Sequence, residues 1–244
     1  MSGVAMAASL ALPATAAEAE IYQQVQPYTM TSTERVLASI RAVDHVVENG
    51  IGGDIVECGV WRGGSMMAMA YALLRRGETG RTLYLYDTFS GMSAPTPRDV
   101  QFDGAPADVL LASSGRDTYI WGVAALDEVR RNLETTGYPM DKVRFVLGPV
   151  EETIPQTISQ SIAILRLDTD WYESTRHELV HLYPSLCGGG ILIVDDYGHW
   201  RGSKEATDEY FAQIEPRPAF HRIDYTGVLA VKTELGVGRR EIGR

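Results

Sequence analysis

The chain has 244 residues, 45% of them hydrophobic and 22% charged, which fits one globular α/β domain with room for an extension. Its formal net charge of −10 argues against a large phosphate-binding surface, so we expect a small-molecule substrate and no nucleic-acid partner. Cys58 and Cys187 have no metal-ligand spacing, and no apolar stretch reaches the ~20 residues that cross a bilayer, so we expect a cytoplasmic protein without a membrane partner.

Residues 1–30 are predicted to form an N-terminal arm. Met1–Ala19 is rich in alanine but lacks the basic region of a secretory signal, so it is interpreted as a mobile arm or a helical lid. The next predicted helix covers Thr33–Asn49, where valines and isoleucines recur at helical spacing. Ser32 or Thr31 can cap its beginning, and the glycines that follow it end the helix.

Residues 31–234 are predicted to form one domain of alternating strands and helices, followed by a C-terminal tail over 235–244. Strands are predicted over Asp54–Gly59, Thr82–Tyr86, Val143–Leu147, Ile162–Leu167 and Gly190–Val194. Helices are predicted over Gly64–Arg75, Ala124–Thr136, Glu173–Leu182 and Lys204–Gln213. Residues 88–120 are interpreted as a long functional loop, and Phe220–Ile223 with Gly227–Val231 as a closing antiparallel pair. This order predicts an α/β fold with a mostly parallel central sheet and helices on both faces.

Acidic residues fall at the carboxyl ends of the predicted strands, where such sheets bind their ligands. These residues are Glu57, Asp87, Asp168, Asp195 and Asp196. One acidic residue there would mean little, but five on four strands indicate a functional site at that edge of the sheet.

The first predicted strand runs into Glu57-Cys58-Gly59, and Gly63–Ser65 open the next helix. The segment lacks the second glycine of the G-x-G-x-x-G dinucleotide fingerprint. An acidic residue followed by a single glycine is typical of methyl-donor folds, in which Glu57 and the nearby backbone would hold the methionine part of the cofactor. An ordinary glycine-rich turn between strand and helix explains the segment equally well.

Asp87 closes the second predicted strand. A carboxylate at this position can accept hydrogen bonds from ribose hydroxyls, in NAD-binding folds as well as in methyl-donor folds. The alternative is an aspartate that only initiates a turn before Thr88. Asp87 therefore indicates a ribose more clearly than it indicates a methyl donor.

Asp168, Asp195 and Asp196 end two strands that are expected to be neighbours, about 5 Å apart. Carboxylates gathered so closely raise each other's pKa values unless a cation neutralises them. Oxygen ligands favour Mg²⁺ or Ca²⁺ over zinc, and a metal there could lower the pKa of an acceptor hydroxyl. Asp168 could accept the departing proton, while Asp170 is interpreted as a neighbour and not a ligand. The alternative is a set of solvated loop carboxylates.

Six segments in this order resemble the macrocin O-methyltransferase family, which includes the mycinamicin and novobiocin noviose methyltransferases. They are PYTMTS (27–32), DIVECGVWRGGS (54–65), LYDTFSGM (85–92), VRFVLGPVEETIP (143–155), LRLDTDWYEST (165–175) and IVDDY (193–197). The resemblance covers residues 21–232. It implies a Rossmann-like class I methyltransferase fold with an N-terminal helical lid, the cofactors S-adenosylmethionine and Mg²⁺, and a sugar hydroxyl of a glycosylated antibiotic as acceptor.

By motif, the resemblance implies metal ligation by Asp168, Asp195 and Asp196, with Asp168 as catalytic base. It implies cofactor contacts at Thr29, Glu57, Gly59, Asp87, Ser114, Gly148 and Glu151. It also implies a possible homo-oligomer. Among the tryptophans, Trp171 is the strongest candidate for a wall of the site because it directly follows the Asp168 loop.

Four functions remain open from the sequence. The leading hypothesis is a Mg²⁺-dependent sugar O-methyltransferase of antibiotic tailoring. The alternatives are an O-methyltransferase for a phenolic or catechol acceptor, a NAD-dependent oxidoreductase, and a non-catalytic small-molecule binder. The missing second glycine disfavours the oxidoreductase, and the three aspartates disfavour the binder because a binder needs no metal beside the cofactor.

Overall fold

The computed structural model describes residues 3–154 and 156–233, and the predicted tail over 235–244 lies outside them. The strands are β1 (Asp54–Cys58), β2 (Leu83–Asp87), β3 (Val143–Leu147), β4 (Ile162–Leu167), β5 (Leu186–Val194), β6 (Phe220–Arg222) and β7 (Val228–Val231). The helices are α1 (Gly3–Leu10), α2 (Ala16–Val25), α3 (Thr33–Glu48), α4 (Gly64–Arg75), α5 (Ala107–Ser113), α6 (Leu126–Glu134), α7 (Val150–Thr153), α8 (Tyr172–Leu182) and α9 (Arg201–Phe211). Among the described residues, no helix has the length and apolar character needed to cross a membrane.

The seven strands form one sheet in the order β3-β2-β1-β4-β5-β7-β6. The first five pair in parallel, and β7 and β6 complete the sheet in antiparallel orientation. This confirms the predicted mostly parallel sheet and its closing antiparallel pair. The chain leaves β1 toward β2 and β3, then returns to place β4 on the other side of β1. The switch point between β1 and β4 is where such sheets bind ligands.

Alternate strand residues pack into two apolar layers, one on each face of the sheet. Ile55 and Ile164 belong to the layer under α3, α4 and α6, while Val56 and Leu165 belong to the layer under α8 and α9. All four are fully buried. A sheet buried on both faces has only its strand ends free for a ligand, and this positions the site.

The N-terminal segment forms two helices that pack on the main domain. Ile21 and Val25 of α2 are buried in the layer of α3 and α4, and α1 packs on α3 and β7. A reciprocal capping box between Thr15 and Glu18 starts α2. Arg41 of α3 pairs with Glu18 at 2.7 Å, and both side chains are buried. These contacts attach the segment firmly to α3, whose first turn reaches the site.

Several predicted boundaries differ from the observed ones by up to three residues, and two larger differences have identifiable reasons. The predicted loop over 88–120 contains a helix, α5, whose 7 residues are too few to show helical spacing. Strand β5 begins at Leu186 and not at Gly190, because the strand continues through glycines that resemble a turn. Gly189 has φ +78 there, and the pairing of β4 with β5 shifts register at this point, as in a β-bulge.

Candidate active site

A cavity of about 350 Å³ opens at the carboxyl ends of the parallel strands. It is within the size range of small-molecule sites. Of the predicted site residues, Thr29, Glu57, Gly59, Asp87, Gly148, Glu151, Asp168, Asp195 and Asp196 line it. Ser114 does not: it follows α5, and its carbonyl accepts a hydrogen bond from the Trp121 indole at 3.1 Å.

None of the described side chains of α1 and α2 lines this cavity. The part of the N-terminal segment that lines it is Tyr28–Thr31, which leads into α3. The backbone of Tyr28 lies so close to the start of α4 that a Cβ on Gly64 would come within 2.5 Å of the Tyr28 carbonyl oxygen. A short connection, and not α1 or α2, therefore forms this wall.

Asp168, Asp195 and Asp196 converge as the strand order requires. The Asp195 amide donates to the Leu167 carbonyl at 2.9 Å, so β4 and β5 stay paired up to the site. One carboxylate oxygen from each aspartate lies within 4.8 Å of the others. Asp195 and Asp196 are buried, and the Asp168 side chain is 29% exposed into the cavity.

Arg166 is a functional residue that the sequence reasoning missed. Its fully buried guanidinium donates to Glu57 and Asp168 at 2.7 Å each and to Asp195 at 2.5 Å. Glu57 and Arg166 are register partners on β1 and β4. The signal in the sequence was an arginine inside the apolar strand Ile162–Leu167, since a buried guanidinium requires carboxylate partners.

Arg35 is the second missed cation. It lies in the first turn of α3, is buried, and donates through Nη1 to Asp195 and through Nε to Asp224 at 2.9 Å. The two carboxylate oxygens of Asp195 therefore have one arginine each. The sequence analysis considered a metal ion as the neutralising cation, and the structure adds two guanidinium groups that already provide part of the opposing charge.

Negative charge still exceeds positive charge in the site. Burial raises the pKa of Asp196 well above its usual value, and Asp170 and Asp195 raise it further. Burial likewise raises the pKa of Asp168; the Arg166 guanidinium opposes this, and Asp195 adds to it. Burial raises the pKa of Asp170 to about 7. Each of these carboxylates would be stabilised by a further cation.

The residues present fit a divalent cation. The donors are three carboxylates, which suit a hard cation such as Mg²⁺. Asp196 Oδ2 is buried and has no hydrogen-bond partner among the described residues. Buried polar atoms are rarely left unpartnered, so this oxygen indicates a missing ligand.

Glu57 and Gly59 line the cavity where β1 ends, next to the end of β4. Glu57 is 1% exposed, and its Oε2 has no partner among the described residues. Burial raises the pKa of Glu57 to about 7 against the lowering effect of Arg166. Gly59 has φ +78, and a Cβ there would lie 2.0 Å from the Asp168 carbonyl oxygen. Position 59 therefore requires a glycine because the end of β4 leaves no room for a side chain, and a ligand in the cavity would add to this requirement.

Asp87 lines the cavity, but much of its hydrogen-bonding capacity is used. Oδ2 accepts from the amides of Val60 at 2.8 Å and Trp61 at 3.2 Å, and Oδ1 accepts from Phe89 at 2.7 Å. These bonds attach the turn after β1 to the end of β2. Oδ1 also accepts from the Thr88 hydroxyl at 3.5 Å, so each oxygen has two donors within the protein. The turn-forming alternative is therefore present, and a ribose hydroxyl would share Asp87 with these donors.

The loop after β4 carries Asp170 in a left-handed conformation at φ +67, which is uncommon for a residue other than glycine. Asp170 lines the cavity beside Asp168. The Thr169 hydroxyl between them donates to the fully buried Glu178 of α8 at 2.9 Å. Helix α8 thus fixes the loop on which both carboxylates lie.

The aromatic walls differ from the predicted ones. Trp61 and Trp200 line the cavity, whereas Trp171 lies behind it, 3% exposed, with its ring 4.9 Å from that of Trp200. The Trp171 indole donates to the Ser93 carbonyl at 3.1 Å. Trp171 therefore supports the wall without forming it.

Comparisons with known proteins identify the family of this chain. The family model "Macrocin-O-methyltransferase (TylF)" matches residues 16–232. The chain is 35% identical over 206 residues to demethyldecarbamoylnovobiocin O-methyltransferase of Streptomyces niveus, covering 84% of this chain and 76% of the relative. It is also 35% identical over 203 residues to the 8-demethyl-8-(2,3-dimethoxy-alpha-L-rhamnosyl)-tetracenomycin-C 4'-O-methyltransferase of Streptomyces olivaceus, covering 82% and 74%.

The solved structure of the O-methyltransferase NovP is similar to this chain with a TM-score of 0.73 and 35% identity, over 85% of this chain and 83% of that one. This similarity confirms the Rossmann-like class I methyltransferase fold. The family match also confirms the resemblance inferred from the six segments. The chain belongs to the macrocin O-methyltransferase family and is an O-methyltransferase.

Proposed function

We propose that this protein transfers a methyl group from S-adenosylmethionine to a sugar hydroxyl of a glycosylated natural product, with Mg²⁺ held by Asp168, Asp195 and Asp196. The observation that carries the proposal is the convergence of these three carboxylates, with their oxygens within 4.8 Å, inside the cavity that contains Glu57 and Asp87. Relatives whose names specify a rhamnosyl tetracenomycin and a novobiocin precursor support a glycosylated acceptor.

The cofactor half of the site lies along β1, β2 and β3. The unpartnered Oε2 of Glu57 is placed to accept from the ammonium group of the methionine part. Asp87 lines the cavity at the end of β2, beside the expected ribose, and Gly148 with Glu151 lie where β3 ends, beside the expected adenine. Thr29 closes this half from the N-terminal segment.

The acceptor half lies at the aspartates. When bound, Mg²⁺ would supply Lewis-acid activation that lowers the pKa of the acceptor hydroxyl and fixes its oxygen. Asp168 is held by Arg166 at 2.7 Å and still keeps a side-chain exposure of 29% into the cavity. This is the geometry that the proposed base needs, because it must be oriented and must also reach the substrate proton.

Asp170 is a second candidate for the proton acceptor. It lines the cavity, and no arginine pairs with it in the described part of the chain. Asn substitutions at 168 and 170 therefore belong in the same experiment.

The charges and the rim of the cavity favour a neutral glycoside over a sugar phosphate. Arg35 and Arg166 are the only lysine or arginine side chains among the described lining residues, and both pair with carboxylates. Met30, Tyr119 and Tyr225 line the opening and are more than 45% exposed. This rim suits an apolar aglycone, since large exposed apolar side chains commonly mark binding sites.

The test is methyl transfer from labelled S-adenosylmethionine to a panel of rhamnosides and related glycosides of polyketide and coumarin scaffolds. A simple catechol and a nucleotide-linked sugar are included as competing acceptor classes. We expect label in one or more glycosides, loss of transfer in EDTA, and recovery with Mg²⁺. Transfer only to the catechol would contradict the proposed acceptor class. Full transfer in EDTA would contradict the proposed role of the metal.

Variants of the aspartates assign the roles. Asp168→Asn is expected to lower turnover by roughly 10²-fold or more while S-adenosylhomocysteine still binds. Asp170→Asn distinguishes the two candidate bases. If Asp170→Asn loses turnover but keeps Mg²⁺ binding, while Asp168→Asn loses both, the base is Asp170 and Asp168 is only a ligand.

A further inference from the structure

Arg35 connects parts of the site that are far apart in the chain. Its Nη1 donates to Asp195 at the end of β5, and its Nε donates to Asp224 in the turn between β6 and β7. Burial alone would lower the pKa of Arg35, but Asp195 and Asp224 more than offset this, so the group stays charged. One guanidinium thus joins α3, the carboxylate cluster and the β6–β7 turn.

Asp224 is the other end of this connection. Its Oδ1 accepts from the amides of Thr226 at 2.9 Å and Gly227 at 2.7 Å, which closes the turn. Its Oδ2 accepts from Arg35 and from the Ser32 hydroxyl at 2.6 Å. The turn also packs on the arginine directly, because a Cβ on Gly227 would lie 2.8 Å from Arg35 Cδ.

The turn held in this way is a wall of the active-site cavity. Tyr225 and Thr226 line the cavity, and Tyr225 is 65% exposed at its opening. On the other side of Arg35, Thr31 precedes the Ser32 cap of α3 and also lines the cavity. Arg35, which also lines the cavity, therefore lies between two segments that line it.

Asp195 is bound by two arginines, so the effect of the Arg35 charge can be tested without losing the orientation of Asp195. Arg166 holds Asp195 through Oδ1 and Arg35 holds it through Oδ2. If the charge of Arg35 were removed, Arg166 would still orient Asp195. The remaining change would be the loss of a positive charge beside the Asp195 carboxylate, one oxygen of which would also bind a divalent cation, and like charges at this distance repel.

We propose that Arg35 is a positioning residue with two separable tasks, an inference that rests on the proposed metal site. Its charge is the resident counter-ion of Asp195, which keeps the carboxylates together without metal and lowers the affinity for Mg²⁺. Its planar, forked guanidinium binds both Asp195 and Asp224. It therefore holds the β6–β7 turn, which lines the cavity, in a fixed position relative to the metal ligands; we call this second task the clamp. Lysine has the charge but not the fork, and glutamine lacks the charge.

Binding of Mg²⁺ alone, measured by calorimetry at pH 8 on the full chain, tests the charge. Arg35→Gln is expected to bind Mg²⁺ roughly tenfold more tightly than wild type, because the repelling charge is gone. Arg35→Lys is expected to stay within about threefold of wild type. General damage to the fold would weaken binding in both variants, so tighter binding is a result that a merely structural role does not produce.

Hydrogen–deuterium exchange of a peptide covering 223–227 tests the fork. Both Arg35→Lys and Arg35→Gln should exchange faster there than wild type, since neither side chain spans Asp195 and Asp224 as the fork does. Arg41→Gln is the matched control: Arg41 lies on the same helix, is equally buried, and pairs with Glu18 away from the cavity. It should change neither readout.

Unchanged or weaker Mg²⁺ binding in Arg35→Gln would overturn the role of Arg35 as counter-ion of Asp195. Unchanged hydrogen–deuterium exchange in Arg35→Lys would overturn the clamp, its role in holding the β6–β7 turn. Should Arg35→Gln not fold, Asp224→Asn tests the same charge balance in the opposite direction. It frees Arg35 to act on the cluster alone and should weaken Mg²⁺ binding. If wild type itself binds no Mg²⁺, the proposed metal site fails, and the exchange measurement still decides the clamp.

Discussion

Glu57 and Arg166 lie beside each other on β1 and β4, and their pairing decides much of the electrostatics of the site. The carboxylates at the strand ends could be predicted from the sequence because strand ends carry function in parallel sheets. The arginines could not be assigned, since nothing in the local pattern shows which carboxylate a buried guanidinium reaches. Residue types were therefore predictable, and partners were not.

The first prediction concerns pH and Glu57. Its pKa is raised from an ordinary 4.5 to about 7 by burial, against the lowering effect of Arg166. A raised folded-state pKa stabilises the protein fully below the unfolded value, and this stability is lost as pH rises through about 7. In metal-free buffer the free energy of unfolding should therefore fall from about pH 4.5 through about pH 7 and level off above it, and Glu57→Gln should reduce that slope.

Urea unfolding of wild type and Glu57→Gln at pH 6, 7 and 8 measures this effect. Glu18→Gln is a suitable comparison, because Glu18 is also buried beside an arginine but has a lowered pKa. Its loss should not reduce the slope above pH 6. Equal slopes in wild type and Glu57→Gln would refute the assignment of the pH dependence to Glu57.

The second prediction concerns Gly59, whose φ of +78 and contact with the Asp168 carbonyl exclude a side chain. Gly59→Ala should lower the free energy of unfolding by at least ~2 kcal/mol, since a left-handed residue is strained and the end of β4 must also move. Gly52→Ala is the control because nothing lies within 4 Å of its added Cβ. Chemical denaturation measures the free energy of unfolding of both variants. If Gly59→Ala were as stable as Gly52→Ala, the close approach of the ends of β1 and β4 would be contradicted.

At the scale of elements, hydrophobic spacing predicted those that cross the core. Helix α4 and strands β3 and β4 begin and end where the pattern indicates, because each lies against a buried layer. Helix α5 was missed because it is short and only Ala107 and Leu111 face inward. Helix α2 was not predicted as a separate helix either. Its sequence offers only a capping box and two buried apolar residues, which are too few to show helical spacing.

The third prediction concerns the long loop, which Asp99 attaches to the start of α8. This buried carboxylate accepts from the Tyr172 amide at 2.7 Å and from Thr96 at 2.6 and 2.9 Å. Asp99→Ala leaves these donors unpaired and should cost about 3 kcal/mol of unfolding free energy. Because the loop supplies Gln101 and Tyr119 to the cavity, its amides should also exchange faster.

Asp108→Ala is the control within the same loop. Asp108 is exposed on α5, and its side chain accepts only from the adjacent Val109 amide. Its loss should change stability by less than about 1 kcal/mol. If Asp99→Ala were no worse than Asp108→Ala, the loop would not depend on this anchor.

At the scale of the whole molecule, the order of strands and helices predicted the fold, because a βαβ succession allows few arrangements. The switch point between β1 and β4 then positions the cavity at the carboxyl ends of the strands, and the family match extends over residues 16–232. The lid role of residues 1–30 stays a prediction, since α1 and α2 pack on α3 and the cavity is lined by Tyr28–Thr31 instead.

The fourth prediction follows from ligand linkage in the whole fold. A ligand that binds only the folded state raises its melting temperature. S-adenosylhomocysteine should therefore raise the melting temperature in a scan, and NAD should not, because β1 lacks the second glycine of the dinucleotide fingerprint. Stabilisation by NAD alone would contradict the cofactor assignment.

The central claim is that Asp168, Asp195 and Asp196 hold one divalent cation in the cavity. Crystals grown with S-adenosylhomocysteine and Mn²⁺, an ion with a usable anomalous signal, test it most directly. The account predicts a single strong anomalous peak coordinated by an oxygen of each aspartate, with Asp195 still bound to Arg166. A map without that peak, or with Arg35 and Arg166 alone satisfying the three carboxylates, would contradict it.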